Sequence, residues 1–289
     1  MKLSGRNAII TGANQGLGFA IAEAFVREGA SLVICARDEI KLHSANEKLV
    51  SIAKQDQKNI FLKADVSLED DVKRLINISM EKLGRIDILV NNAGIYGPKG
   101  EIENIGSKEW TMTFEINLFG IFYACKYIIP HMKKNNYGKI INLSGGGATA
   151  PLPRISAYAA SKAAVVRLTE TLAEEYREFN IDINAIAPGA LNTRLLDEIL
   201  EAGSETVGNS FYKKALNQKE SGGTSPDKGA SLCVYLASSE SDGITGKLIS
   251  AVWDPWNDFE KHKGELKESD IYTLRRIVPE DRGRHWSQS

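Results

Sequence analysis

Hydrophobic and polar positions along the chain follow two alternating periods. Short apolar runs, such as Asn7–Thr11 and Leu32–Ala36, predict buried strands, and the longer segments between them carry apolar residues at helical spacing. Strands are predicted near 7–11, 31–36, 59–64, 86–91, 138–144, 181–187 and 246–251, and helices near 16–28, 39–54, 69–83, 107–134 (two helices), 157–179 and 226–237. Regular alternation of strand and helix predicts a parallel sheet with right-handed crossovers.

The composition is that of a chain with one large hydrophobic core. The chain has 289 residues, with 36 Lys or Arg and 37 Asp or Glu, so its net charge is −1. That length is compatible with one or two domains. The even charge balance gives no indication of nucleic-acid binding, and no nucleic-acid partner is expected.

The N-terminal residues and the cysteines indicate a cytoplasmic protein. Charged residues begin at Lys2 and Arg6, and we identify no apolar stretch of 18 residues, so neither a signal peptide nor a membrane span is expected. The cysteines are odd in number and far apart, which favours small buried hydrophobes over disulfides or a zinc site: Cys35, Cys125 and Cys233. The four histidines show no ligand spacing, so no metal site is expected.

A glycine-rich turn follows the first predicted strand. The segment Gly12-Ala-Asn-Gln-Gly16-Leu-Gly18 leads directly into the helical pattern of 19–28. Glycines let the backbone turn tightly and approach a pyrophosphate, and a helix N-terminus presents free N–H groups to the anion. A glycine spacing alone is weak evidence, but here the strand and the helix lie where this function needs them.

A tyrosine and a lysine lie one helical turn apart in the segment Tyr158-Ala-Ala-Ser-Lys162. Their side chains therefore share one face of a helix. A phenol has a pKa of about 10, and a nearby ammonium favours the phenolate. Such a pair could exchange a proton with a carbonyl oxygen. Taken alone, the pair is better explained as part of an ordinary amphipathic helix with a snorkelling lysine.

Together these motifs resemble the short-chain dehydrogenase/reductase family. The resemblance covers about residues 3–250 and depends on short motifs in family order: Thr11 to Gly18, Asp65-Val66, Asn91 to Gly94, Asn117, Ser144, Tyr158-x-x-x-Lys162 and Pro188 to Thr193. It implies an α/β fold, a doubly wound, Rossmann-like parallel sheet of seven strands in a single domain. It also implies hydride transfer between a nicotinamide cofactor and a carbonyl or secondary-alcohol substrate.

The resemblance also assigns residues to the cofactor. The glycine-rich turn would bind its pyrophosphate through Gly12, Asn14, Gln15, Gly16, Leu17 and Gly18. Asp65 and Val66 correspond to the adenine contact, and Asn92, Ala93 and Gly94 to the cofactor wall after the fourth strand. The carboxamide of the nicotinamide would be held by a segment that contains Pro188, Gly189, Leu191 and Thr193.

The end of the second strand favours NADP, with NAD as the other possibility. Family members that use NAD carry an acidic residue at the position of Ala36. Arg37 follows, and its guanidinium could pair with a 2′-phosphate, or equally with its neighbour Asp38. Gln15 is a contrary sign, because relatives that use NADP often have a basic residue there.

The resemblance implies a catalytic set of Asn117, Ser144, Tyr158 and Lys162. Tyr158 would act as the acid or base, while Lys162 would lower the tyrosine pKa and bind the nicotinamide ribose. Asn117 would bend its helix and hold a water beside the lysine, and Ser144 would polarise the carbonyl.

The serine spacing leaves two alternatives. Ser144 lies 14 residues before Tyr158, whereas most relatives have 13, the position of Gly145 here. Either the extra residue is absorbed by the glycines 145–147 and Ser144 points into the site, or Gly145 has replaced the serine. We favour the first alternative, because three glycines leave the backbone free to re-aim a neighbour.

Two segments depart from a simple pattern. Residues 194–225 are polar and glycine-containing, and are expected to form a variable lid; Arg154 could meet an anionic substrate group, although a solvated loop arginine is the simpler interpretation. Residues 1–251 form the catalytic domain, and 252–289 a C-terminal extension rich in charged and aromatic residues. We expect the extension to be ordered, on a subunit interface or at the site entrance of a homodimer or homotetramer.

Two other functional classes remain open. One is a non-catalytic cofactor-binding protein that serves as a sensor or scaffold. The other is a sugar-nucleotide-modifying enzyme, although about 40 additional residues look too few for the second domain that such enzymes usually have.

Overall fold

A seven-stranded parallel sheet forms the centre of the computed structural model, which describes residues 1–286. Its strands are β1 (Asn7–Thr11), β2 (Ser31–Ala36), β3 (Asn59–Lys63), β4 (Ile88–Asn91), β5 (Gly138–Leu143), β6 (Ile181–Ala187) and β7 (Leu248–Ser250). Their order in the sheet is β3-β2-β1-β4-β5-β6-β7. In register, Ile9 of β1 lies between Val33 of β2 and Leu89 of β4. The single Rossmann-like domain that the sequence predicts is confirmed.

Helices cover both faces of this sheet. They are α1 (Gly16–Arg27), α2 (Glu39–Ile52), α3 (Glu69–Leu83), α4 (Ser107–Phe114), α5 (Gly120–Asn135), α6 (Ser156–Glu175), α7 (Arg194–Val207), α8 (Asn209–Ser221), α9 (Pro226–Ala237) and α10 (Lys263–Glu268). One core cluster joins α1 and α9 to the sheet through residues such as Phe25 and Cys233, and the other joins α3, α5 and α6 through Ile76, Ile128 and Val165. The strands therefore have apolar side chains buried on both sides.

The run Ser107–Asn135 corrects one expectation. By length and composition alone it is a candidate membrane span, although the sequence analysis identified no such stretch. Half of its most apolar window is buried, and Ile121 and Ile128 lie in the core. We therefore interpret it as a core helix. Its middle, Glu115–Phe119, is a π-helical turn between α4 and α5.

The segment expected to be a polar lid is helical and has an apolar inner face. Helix α7 buries Leu196, Ile199 and Val207, and helix α8 buries Ala215, in a cluster with Ile155. Their remaining faces are polar, so the overall composition of the segment hides its helical periodicity.

The C-terminal extension packs on the catalytic domain of its own chain. Phe259 and Leu266 are buried in the core cluster shared with α1 and α9. Tyr272 O accepts a hydrogen bond from Leu248 N at 2.8 Å, so the extension covers the edge of β7. Lys247 Nζ donates to carbonyl oxygens of the same segment. Positions 287–289 of the expected extension lie outside the described residues.

We predict that truncation after Ser250 lowers the thermal unfolding temperature, because it exposes the core around Phe259 and the edge of β7. Phe259→Ala tests the packing in the intact chain and should lower the free energy of unfolding by about 3–5 kcal/mol. Ile277→Ala, in the same extension but 60% exposed, is the control and should change it by less than about 0.5 kcal/mol. An unchanged unfolding temperature in the truncated chain would contradict the prediction.

Candidate active site

The loop after β1 is held against the end of β4 at a distance that only glycine allows. Gly12 has φ +65°, and a Cβ on it would lie 2.9 Å from Ala93 Cα. A Cβ on Gly18 would lie 2.3 Å from Gly12 O. Asn92 Nδ2 donates to Thr11 O and Gly12 O, both at 3.0 Å, and so fixes the loop.

The N-terminus of α1 opens from this loop without a capping side chain. Gln15, the N-cap residue, is extended and makes no side-chain capping bond, and the first turn contains no acidic residue. The backbone N–H groups and the positive end of the helix dipole are therefore available to an anion. A tight glycine loop with an uncapped helix behind it fits the pyrophosphate of a dinucleotide.

One cleft of about 1400 Å³ runs along the carboxyl ends of the strands. Its lining includes all the residues that the sequence assigns to the cofactor: Gly12, Asn14, Gln15, Gly16, Leu17, Gly18, Arg37, Asp65, Val66, Asn92, Ala93, Gly94, Tyr158, Lys162, Pro188, Gly189, Leu191 and Thr193. Their contact with a cofactor stays a prediction. Within residues 1–286, no three His, Cys, Asp or Glu side chains form a group that could hold a metal ion.

The end of the cleft beside β2 carries two basic side chains, those of Arg37 and Lys41. Arg37 is more than half exposed, and its Nη1 lies 3.8 Å from Asp65 Oδ2. Asp38 caps α2 by accepting from Lys41 N at 3.0 Å, and its other oxygen lies 3.6 Å from Lys41 Nζ. Asp38 is thus engaged locally, and Arg37 has an exposed guanidinium.

Tyr158 and Lys162 project from the first turns of α6 into the same cleft. Lys162 is buried, its Nζ donates to Leu143 O at 2.7 Å, and it lies 5.7 Å from the centre of the Tyr158 ring. Burial lowers the pKa of Lys162 to about 8, because desolvation disfavours the ammonium. This lysine therefore titrates close to neutral pH.

The phenol is held in its protonated form by the residues around it. Burial raises the pKa of Tyr158 well above its ordinary value, and the neighbouring Tyr96 adds to the effect. The expected lowering of this pKa by Lys162 stays a prediction, because burial and Tyr96 both act in the opposite direction. Tyr158 is therefore poised as a proton donor rather than as a phenolate.

Asn117 lies behind the cleft rather than on its wall. Its Oδ1 accepts from Ile95 N at 2.9 Å, and its Nδ2 donates to Ile95 O and to Ser161 Oγ. The residue is fully buried at the centre of the π-helical turn. Its side chain thus anchors the segment after β4 to α6, and the expectation that Asn117 holds a water beside the lysine stays a prediction.

The Ser144 hydroxyl is directed at the backbone of α6. Ser144 Oγ donates to Lys162 O at 3.4 Å, and Ser144 N donates to Ile186 O at 2.8 Å. The residue is 4% exposed. This geometry gives no support to the first of the two alternatives for the serine, and its role in polarising a carbonyl stays a prediction.

The sequence analysis missed the apolar side of the cleft. Tyr96 packs edge-on against Tyr158, with ring centres 4.6 Å apart. Further apolar walls come from the loop before α6, from α7 and α8 and from the extension, namely Leu152, Leu196, Ile199, Phe211 and Trp253. The spacing Leu196, Ile199, Leu200 and Ala202 was the signal that would have shown a helix with one apolar face.

Arg154 fastens the lid instead of facing the cleft. Its guanidinium donates to the carbonyl oxygens of Glu205 and Thr206 at the end of α7. Its Nη2 also lies 2.9 Å from Glu101 Oε1. A cation at the C-terminal end of a helix is well placed, because the last carbonyls have no partner within the helix.

Comparison with known proteins identifies the family. A family model described as short chain dehydrogenase matches residues 6–203. The chain belongs to the short-chain dehydrogenase/reductase family. Its dehydrogenase/reductase relatives include "Dehydrogenase/reductase SDR family member 4" of Caenorhabditis elegans, 34% identical over 86% of this chain and 94% of that protein. Another is 3beta-hydroxysteroid dehydrogenase 1 of Eggerthella lenta, 35% identical over 86% of this chain and 92% of that protein.

Solved structures of short-chain dehydrogenases/reductases superpose on the same part of the chain. Levodione reductase aligns with a TM-score of 0.79 at 28% identity, covering 86% of this chain and 96% of that one. A gluconate 5-dehydrogenase from Burkholderia cenocepacia, in complex with NADP and tartrate, aligns with a TM-score of 0.76 at 28% identity, covering 86% and 94%. Such oxidoreductases act on alcohols and carbonyls with NAD(P), and this chain is one of them.

The lowered pKa of Lys162 predicts a pH-dependent activity. The ammonium is present below about pH 8 and is lost as the pH rises through that value. Reduction of a carbonyl should therefore slow above about pH 8, because the tyrosinate formed on proton transfer loses its stabilising cation. The pH profile of kcat measures this.

Lys162→Arg is the control for this pH dependence, because a guanidinium stays charged. Its turnover is expected to be lower, but without a break near pH 8. A wild-type rate independent of pH between about 7 and 10 would contradict the assignment to a titrating lysine.

Proposed function

We propose that this protein is an NADP-dependent oxidoreductase that interconverts a carbonyl and a secondary alcohol, with Tyr158 as the acid or base. One observation carries the proposal. Tyr158 and the buried Lys162 project from α6 into the same cleft as the glycine-lined loop and the uncapped N-terminus of α1. Proton donor and dinucleotide cradle thus face one space, as a hydride–proton reaction requires.

Each residue has a proposed part in the reaction. The nicotinamide supplies or accepts the hydride when it is bound. Tyr158 Oη donates its proton to the carbonyl oxygen in reduction and takes it back in oxidation. Lys162 stabilises the charge on the phenol oxygen, and also binds the nicotinamide ribose. Asn117 fixes the segment after β4 against α6, and so holds the wall beside the lysine.

The preference for NADP is supported by the charges beside β2. Ala36 offers no carboxylate to the adenosine ribose, and Asp38 is occupied by the capping of α2. Arg37 keeps an exposed guanidinium beside the cleft, where it could bind a 2′-phosphate. The gluconate 5-dehydrogenase with the same fold binds NADP.

The lining of the cleft favours a substrate with a substantial apolar body. Tyr96, Leu152, Ile199 and Phe211 surround the space beside Tyr158. Burial of apolar surface is worth roughly 25 cal/mol per Å², so such walls select against small polyols. The steroid dehydrogenase of Eggerthella lenta is a relative whose named substrate class has this character.

We propose that the protein is a cytoplasmic homodimer or homotetramer. Phe119 and Phe122 are 42% and 46% exposed on α5 and the turn before it, which is a surface that assembly would cover. Residues 252–289 form a C-terminal extension to the catalytic domain 1–251. Its proposed place at the site entrance is supported by Trp253, which lines the cleft and is 85% exposed.

Tyr158→Phe tests the proposed acid. The substitution removes the proton donor and keeps the ring, so NADPH-dependent reduction over a panel of apolar ketones should slow by roughly 10²–10⁴. The dissociation constant of NADPH should hardly change. Tyr176→Phe, a tyrosine outside the cleft, serves as the matched control. A mutant within a few-fold of wild type would exclude Tyr158 as the acid, and binding without any turnover by wild type would favour the non-catalytic sensor.

Arg37→Ala tests the choice of cofactor. NADPH binding should weaken by about 1.5–3 kcal/mol, roughly ten- to a hundredfold, because only NADPH offers a 2′-phosphate to the guanidinium. NADH binding should change little. Arg27→Ala, which removes a surface arginine of α1, is the control. Calorimetric dissociation constants for both cofactors decide, and equal losses would show that Arg37 does not select.

A further inference from the structure

Gly145 lies in a conformation that any residue could adopt, yet it has no room for a side chain. Its φ is 173° and its ψ is 177°, which is extended backbone. A Cβ at this position would lie 2.7 Å from Tyr158 Oη, closer than real Cβ contacts allow. The next atoms of the ring, Cζ and Cε1, would be 3.6 Å and 3.9 Å away, which are ordinary contacts. The phenol oxygen therefore occupies the space of the missing side chain.

Neither partner of this contact can retreat easily. Tyr96 packs edge-on against the Tyr158 ring, with an interplanar angle of 68°. The loop that carries Gly145 lies directly on α6, because a Cβ on Gly147 would be 3.0 Å from Ala159 Cα. The loop is thus held against α6, and the Tyr158 ring is held by Tyr96 on one side.

The hydroxyl of the neighbouring serine contacts the backbone of α6. Ser144, the neighbouring residue, directs its Oγ to Lys162 O at 3.4 Å. Its backbone is paired with β6 through Ile186 O, which fixes the position of the serine at the end of β5. The serine hydroxyl is bonded to α6, and Tyr158 Oη faces the bare backbone of Gly145.

We propose that Gly145 is a positioning residue, whose lack of a side chain sets the place of the Tyr158 hydroxyl. It follows that Tyr158 receives the carbonyl oxygen without a serine donor from position 144 or 145. The catalytic consequence rests on the proposed function, whereas the steric coupling of Gly145 to the phenol oxygen does not.

A double-mutant cycle in the full chain tests the coupling. Gly145→Ala should lower the unfolding temperature by about 2–10 °C, because it forces Cβ against Oη. In a Tyr158→Phe background the same substitution should cause almost no shift, since the remaining ring atoms are at contact distance. Gly146→Ala is the matched control, because a Cβ there meets nothing within 4 Å, and no shift is expected.

The kinetic arm separates positioning from general damage. Gly145→Ala in the Tyr158 protein should lower kcat roughly tenfold or more, with an unchanged dissociation constant for NADPH, because a displaced proton donor affects the chemical step. Equal shifts in unfolding temperature in both backgrounds would overturn the proposal. So would a Ser144→Ala variant that loses as much turnover as Tyr158→Phe, because the serine would then polarise the carbonyl. If Tyr158→Phe is itself fully active, the proposed function fails while the thermal coupling still decides the steric part.

Discussion

The close approach between the loop after β1 and the end of β4 is the constraint on which the rest of the cleft depends. Gly12 and Gly18 leave no space for a Cβ, and Asn92 ties the loop to the strand. Because the backbone is drawn in here, the N-terminus of α1 points its free N–H groups into the crevice where the strand order reverses. Every other wall of the cleft is placed relative to this point.

A second close contact, between the glycines after β5 and α6, sets the electrostatics of the site. Lys162 is buried beside this contact, and the partly buried Tyr158 lines the cleft. Desolvation lowers the pKa of the lysine toward neutral pH and raises that of the tyrosine away from it. In the proposed reaction, the Lys162 ammonium stabilises the charge that forms on the phenol oxygen.

The sequence predicted the sheet and the helices that pack on it, but not α7, α8 or α10, because strands and core helices depend on local patterns. The residues expected around the cofactor came from the family resemblance. The hydrophobic period, the glycine spacing and the separation of Tyr158 and Lys162 by one helical turn can each be recognised within a few residues. What it missed depends on contacts between distant segments. The orientation of Ser144 depends on contacts with β6 and α6. The apolar face of α7 is obscured because the overall composition of residues 194–225 is polar. The fastening of the lid by Arg154 depends on a helix end 51 residues away.

The extension has a consequence for the order in which the chain can fold. Strand β7 gains its outer neighbour only when Tyr272 is present, and Arg167 and Glu170 of α6 bond to Leu274, more than 100 residues later in sequence. During synthesis, the edge of β7 and part of the core therefore stay exposed until this segment has left the ribosome. Such non-local closure is slow compared with helix formation. The residues that line the cleft all precede position 255. The cleft can therefore form before the C-terminal extension packs on β7 and the core.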